Sequence, residues 1–426
     1  MKGMFRAALL ASASLMSVQA YAGGFINSSQ STVGNGMAYA GAAAPGSSSA
    51  ATLFMNPATM TSFRGFTIDS NYTFGLPSSK ATGSFSAAGA GINALLPGQG
   101  SYGMNYFVPA TYLVYQINDR LWAGLSINST YGNSTKAENL WRGSLLAATT
   151  KLRAITATPS LAYKLNDMWS FGIGLQIQYI SARQTTAFPA GLGLPSPGAG
   201  IISSDGWGIG ATAGVTFTPR KGTQIGLGWR SLIEQNVEGE TRFGPAVSTN
   251  SKGTLNLPNR VNLSIRQTVT ERLDILGSIE WQNWGRIGNA RLNNPANAAL
   301  SSLPFGYSDG WFFSLGAEYR ATQALTLRAG IGYEISPVKD SVRRMSLPDS
   351  DRLWLSTGFT YDVNERFSLN ASYSYLHFQK APITQVLVPG ITFTGESKQN
   401  AHLLSIGLTS RWGAAPKKED PLVRKF

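Results

Sequence analysis

The chain has two histidines, His377 and His402, and no cysteine. An imidazole can serve as a general base or a metal ligand near neutral pH. Nucleophilic catalysis needs a nucleophile, a base and an orienting group together. No serine beside either histidine carries such a motif, and a metal site needs more ligands than two. Both histidines fall on the apolar phase of alternating segments, which suits a surface at the level of lipid headgroups. Asp274 and Glu280 share the polar phase of one segment, six residues apart. That placement suits partners for Arg328 or Arg411 better than an acid–base pair. Gly46 and its serine neighbours lack the Gly-Lys-Ser/Thr end of a phosphate loop. These residues imply no enzyme, no metal and no cofactor.

The elements that hold them are strands. Trp169, Phe171, Ile173, Leu175, Ile177 and Tyr179 are apolar, with Ser170, Gly172, Gly174, Gln176 and Gln178 between them. Successive strand side chains point to opposite faces, so one face is greasy and the other polar or small. The pattern recurs along Leu325–Tyr333, Phe367–Tyr375 and Leu404–Trp412. The segments reach the roughly 10 residues that a tilted membrane strand needs, and aromatics stand at their ends. The fold class is therefore all-β: a transmembrane antiparallel β-barrel of about 14 strands. The strands are expected near 65–75, 107–117, 120–131, 151–164, 168–184, 205–218, 222–233, 256–269, 272–286, 310–320, 323–334, 352–363, 366–379 and 400–412. Short turns such as Asn118-Asp119, Asn166-Asp167 and Asn364-Glu365 alternate with long Gly/Pro/Ser/Asn-rich loops. That asymmetry puts the short turns and both chain ends in the periplasm.

Lys2 and Arg6, the apolar run Ala7 to Val18 and the step Ala20-Tyr21-Ala22 read as a signal peptide over 1–22. Charged residues are 13% of the 426-residue chain, against roughly 25% for a soluble domain. The net charge of +13 comes from scattered basic residues, and export argues against nucleic acid as a partner. A mild attraction for outer-membrane lipid or anionic ligands is the simpler reading. Residues 23–64 are Gly/Ala/Ser-rich and poorly periodic, yet carry Phe25, Ile26, Leu53, Phe54, Met55 and Phe63. They are expected to fold as a plug inside a barrel spanning 65–412. Residues 413–426 run past Trp412, the aromatic end that barrel-assembly machinery would read, as a tail.

Against this background Gly34-Asn35-Gly36-Met37-Ala38-Tyr39-Ala40-Gly41 and Met55-Asn56-Pro57-Ala58 resemble the N-terminal hatch of the FadL family of outer-membrane fatty-acid and hydrocarbon transporters. Asn166-Asp167-Met168-Trp169, Ile225-Gly226-Leu227-Gly228-Trp229-Arg230-Ser231, Ser336-Pro337-Val338 and Pro348-Asp349-Ser350-Asp351-Arg352-Leu353-Trp354 are similar too, in order along the chain. The resemblance implies a fourteen-stranded barrel, expected to be a monomer, that passes long-chain fatty acids or related hydrophobic small molecules without energy coupling. It implies capture in a groove between external loops, here Leu140, Trp141, Leu145 and Leu146 with Phe188, Leu192 and Leu194. It implies a tighter pocket beside the hatch N-terminus, at Phe25. Exit is sideways, at a kink in the third strand with Gly124 and Ser129-Thr130-Tyr131-Gly132; Asn56, Pro57 and Ala58 belong to the hatch. Fatty-acid members carry basic residues where this chain has Ser308 and Thr186, so Arg183 and Arg230 are the substitute carboxylate partners. Neutral aromatic or alkane hydrocarbons are the alternative cargo; a lipase-type barrel enzyme is a distant one. An adhesin or an open porin would leave residues 23–64 without a purpose.

Overall fold

The computed structural model describes residues 24–46, 49–187, 200–243, 247–293 and 302–413. The signal segment, Phe188, Leu192, Leu194 and the tail beyond Gly413 lie outside them. Fourteen antiparallel strands close into a barrel. They are β1 (Phe66–Phe85), β2 (Tyr106–Gln116), β3 (Leu121–Lys136), β4 (Thr149–Lys164), β5 (Trp169–Thr186) and β6 (Gly200–Arg220). Next come β7 (Thr223–Arg230 continued by Ile233–Phe243) and β8 (Val247–Leu257 continued by Arg260–Thr270). The remainder are β9 (Leu273–Gln282), β10 (Gly310–Arg320), β11 (Leu325–Ile335), β12 (Arg352–Asp362), β13 (Phe367–Phe378) and β14 (Ile391–Trp412). Closure is the pairing of β1 with β14, from Phe66 opposite Trp412 to Phe85 opposite Phe393.

The alternation runs inside out. Outward Ile173 and Ile209 are 64% and 66% exposed, while inward Gln178 is fully buried. A soluble sheet would bury the isoleucines, so the outer face is built for lipid. Trp169 stacks on Phe217 at 4.2 Å near the short-turn end, and Tyr179 meets Trp207 at 5.1 Å near the other. His377 on β13 and His402 on β14 are exposed, hydrogen-bonded to Asn400 and Tyr373.

Several strands run farther than expected. β1 continues ten residues beyond Gly75, and β3, β6, β7, β8 and β14 also extend into the stretches expected to be loops. Above the membrane both faces of a strand are wet, so the ladder continues after the hydropathy signal stops. β7 is broken at Ser231-Leu232 and β8 at Pro258-Asn259, where proline lacks the N–H that a ladder needs.

Residues 24–46 and 49–64 pack inside the barrel around two short helices, α1 (Thr32–Asn35) and α2 (Thr52–Met55), and a 3₁₀ turn, Pro57–Ser62. The lumen face receives this plug in two ways. Its polar groups pair with plug backbone and amides: Asn71 Oδ1 accepts from Thr32 N at 2.8 Å, Ser278 Oγ from Gly41 N at 2.8 Å, Ser264 Oγ from Ala43 N at 3.0 Å. Its glycines let the plug backbone come close. A Cβ on Gly226 would sit 1.8 Å from Ala43 O, on Gly228 1.9 Å from Met55 O, and on Gly172 2.4 Å from Ala58 N.

A ladder of buried ion pairs lines the inner face of β8 to β11. Arg260 meets Glu280 at 2.7 Å; Arg266 meets Asp274 at 2.6 Å and Glu318 at 3.0 Å; Arg328 meets Glu318 at 3.4 Å. The expected partners Arg328 and Arg411 are thus not those of Asp274 and Glu280. Adjacent strands lie about 5 Å apart, so carboxylates on β9 reach cations on β8 and β10, while Arg328 is one strand farther and Arg411 is on β14. Breaking such a pair leaves a buried charge. Arg260→Met is expected to cost about 3–5 kcal/mol, read as a lower denaturant midpoint for the detergent-folded protein. Most of it should return in Arg260→Met/Glu280→Gln; an unchanged midpoint in the single variant would reject this.

Candidate functional site

The wall departs from regularity at β3. Its ladder with β2 ends at Thr111 opposite Ile127. Between the pairs Asn128–Thr156 and Tyr131–Ala154, β3 carries both Ser129 and Thr130 where β4 has only Ile155. An extra residue of this kind bends the strand. From Asn128 to Thr135 the alternation vanishes and every residue is buried, because this length of β3 has turned into the lumen. The plug N-terminus takes its freed edge. Asn27 N donates to Thr130 O at 2.9 Å, Gly132 N donates to Phe25 O at 2.9 Å, and Ile26 bridges to Tyr131. On the other side, Tyr106–Ala110 of β2 pair with β1, and Pro109 among them has no N–H to offer.

Beside this junction lies a cavity of about 180 Å³. Phe25, Leu152, Ile180, Leu255, Phe305 and Leu347 give it apolar walls, and Tyr307 and Arg344 give it polar groups. Phe25 is wedged edge-on against Trp284 at 4.7 Å. Burial pushes the Tyr307 phenol up, and nearby Asp349 pushes it the same way, so it stays a neutral hydroxyl. Arg344 is half-buried on the loop between β11 and β12.

That loop also holds the plug. Gly24 N donates to Asp349 Oδ2 at 3.0 Å, and Asp349 pairs with Arg352 at 2.8 Å and accepts from the Ser336 hydroxyl. Burial pushes the Asp349 carboxyl up, against the pull of Arg352 and these donors. Gly24 has φ +65°, and a Cβ there would lie 2.7 Å from the Trp284 ring. Cavity wall, external loop and plug terminus are therefore one packed unit.

The residues singled out from the sequence fall in different places. Phe25 is in the cavity wall. Arg183 borders the cavity together with Lys151, although both stand on the strand phase that points outward with Tyr179. Arg230 is buried in the lumen, where it donates to Phe54 O at 2.8 Å and to Gln176 and lies 4.1 Å over the Phe54 ring. It clamps the plug and is spatially separate from the cavity lining. Trp141, Leu145 and Leu146 are buried with Phe85, Ile92 and Phe393, joining three loop regions, while Leu140 is exposed. Asn56 is fully buried: its amide donates to Ala43 O at 2.8 Å and Val215 O at 2.9 Å, and its carbonyl caps Ala58 N at 3.0 Å. Pro57 opens the 3₁₀ turn with Ala58 behind it. Gly124 lies in regular ladder below the bend and faces the plug, with Met60 Sδ where a Cβ would go. The irregularity is at Ser129-Thr130, within the other stretch expected to carry the kink. Ser308 donates to Pro337 O at 3.1 Å, and Thr186 ends β5 opposite Gly200.

Arg344, Asp349 and Trp284 escaped the sequence reading. Asp349 was within a recognised motif; the adjacent Arg343-Arg344 pair was the other available sign. Among the described residues no group of His, Asp and Glu could hold a metal ion.

Residues 13–412 match the family described as outer membrane protein transport protein (OMPP1/FadL/TodX). The chain is 30% identical over 418 residues to a long-chain fatty acid transport protein of Escherichia coli O6:H1, covering 89% of this chain and 92% of that one. The fold is similar to a crystal structure of a Pseudomonas aeruginosa FadL homologue, with a TM-score of 0.80 at 23% identity, over 91% of this chain and 99% of that one. It is also similar to the P. putida toluene transporter TodX, with a TM-score of 0.66 at 16% identity, over 93% and 100%.

Proposed function

The chain belongs to the FadL/TodX family of outer membrane transport proteins, and from that premise we propose that it carries long-chain fatty acids passively into the cell. The observation that carries the reading is the apolar cavity that ends on Phe25, at the point where the plug terminus replaces a length of wall beside β3. Cargo collects at the loop end, around the cluster that includes Trp141, Leu145 and Leu146. It enters the cavity with its chain along Phe25 and Leu347 and its carboxylate toward Arg344 and Tyr307. Contact with Phe25 loosens Phe25–Asn27 from β3, and the cargo leaves between β2 and β3. The short turns and both chain ends face the periplasm, and one chain suffices. None of this needs a catalytic group.

The first test is uptake of radiolabelled oleate by cells lacking their own fatty-acid channel. Uptake above the empty-vector level is expected; none, with folded protein in the outer membrane, would overturn the reading. A charge-assisted hydrogen bond contributes about 1.5–3 kcal/mol, so Arg344→Ala should weaken oleate binding roughly 10- to 100-fold. Toluene uptake should not change. Equal loss for both cargoes would assign Arg344 a structural role only.

One observation favours neutral hydrocarbons as the cargo. Ser308 and Thr186 leave uncharged the two positions at which fatty-acid members resemble one another in carrying cations. Toluene uptake without oleate uptake would select that reading.

A further inference from the structure

Two outward rungs near the loop end place like charges face to face. Lys80 on β1 pairs directly with Lys398 on β14. Lys151 on β4 pairs directly with Arg183 on β5. All four are exposed. Direct partners have Cβ atoms about 5 Å apart, and like charges there are destabilising. Their direct cross-strand partners are not acids, and Lys398 has one long ion pair, to Glu396. Lys80 has Ser101 on its other side and Arg183 has Ser203. Lys380 immediately precedes Ala381, which pairs with Ser397, so it adds a cation beside Lys398. The nearest acids are Glu396, 3.6 Å from Lys398, and Asp205, which is hydrogen-bonded by Tyr179 at 3.1 Å. The loop segments 188–199, 244–246 and 294–301 contain no acid.

Each rung also stands above an outward row of larger side chains. Tyr375, His402 and Leu76 form one outward row, and Lys398 and Lys80 lie four residues above it. Ile155, Tyr179 and Trp207 form another, and Lys151 and Arg183 lie four residues above that. Four residues of strand tilted about 40° rise about 10 Å. That distance carries a side chain from the aromatic belt into the headgroup layer.

We propose that these rungs are two binding sites for the phosphate groups of lipid headgroups in the outer leaflet. Each pairs two cations on the lipid-facing wall, at headgroup height, where an anion between them removes their repulsion. The membrane placement rests on the proposed outer-membrane orientation; Lys151 and Arg183 also border the cavity, so the comparison with uptake is made on the Lys80/Lys398 pair.

The test uses the purified full chain in neutral detergent and native mass spectrometry. Lipid A with two phosphates, the same lipid without phosphates, and inorganic phosphate are offered separately. Selective retention of the phosphorylated lipid is expected. Lys80→Gln/Lys398→Gln and Lys151→Gln/Arg183→Gln should each weaken it by about tenfold or more, and Lys80→Arg/Lys398→Arg should keep it. All these positions are exposed, so folding can be verified by heat-modifiable gel mobility. Equal retention of the dephosphorylated lipid, unchanged retention by both Gln variants, or binding of inorganic phosphate as tight as that of the lipid would overturn the proposal. Oleate uptake measured alongside separates a failure here from a failure of the transport reading.

Discussion

Deleting Thr130 is expected to lower oleate uptake by roughly tenfold or more while the barrel still forms, because the bend in β3 depends on one surplus residue. Without it, Asn128–Thr156 and Tyr131–Ala154 would be joined by equal lengths of β3 and β4. β3 would then run straight, extend its ladder with β2 beyond Thr111–Ile127, and close the wall. The edge that Phe25 and Asn27 now occupy would be taken. Heat-modifiable mobility separates a sealed barrel from an unfolded one. Normal uptake by a folded deletion variant would sink the side-exit pathway and leave the lumen as the only route.

The second large effect is expected from Gly226→Val/Gly228→Val. Both glycines lie on the inward phase of β7, against plug backbone at 1.8 Å and 1.9 Å from the position of a Cβ. Carbonyls of Ala43 and Met55 cannot move aside as a flexible side chain would. Overpacking of this kind costs about 1–3 kcal/mol per site, and the neighbouring Asn56 hydrogen bonds would be lost with it. The plug should leave its seat and open an aqueous path. In planar bilayers the parent protein should be silent and the double variant should conduct ions. A silent double variant that is folded would mean that the plug has another seat.

The barrel was legible because lipid outside and polar groups inside impose opposite demands on alternate residues, as Ile173 and Gln178 illustrate. The upper lengths of β1 and β14 were not, since outward Ser78, Lys80 and Lys398 are polar and the hydropathy of the strand no longer alternates there. The charge partners of Asp274 needed strand adjacency, which periodicity alone does not give. At the cavity, Phe25 was named through the resemblance, which implies a pocket beside the hatch N-terminus; its apolarity alone marked it as a residue for the plug to bury. Arg344 and Asp349 were not, because a loop has no period and their roles come from the plug terminus more than 300 residues away. Arg183 was legible as a residue at the border of the cavity, although its strand phase is the outward one.

The interrupted wall between β2 and β3 stands level with outward Tyr72 and Phe74, where β1 pairs with β2. A molecule released there meets acyl chains. Transfer of each methylene into water costs about 0.8 kcal/mol, so a tail of about 15 methylenes would face a barrier of about 12 kcal/mol if it had to cross an aqueous lumen. The proposed side exit at this height would take hydration out of the itinerary, and the molecule's own partitioning into the bilayer would supply the driving force.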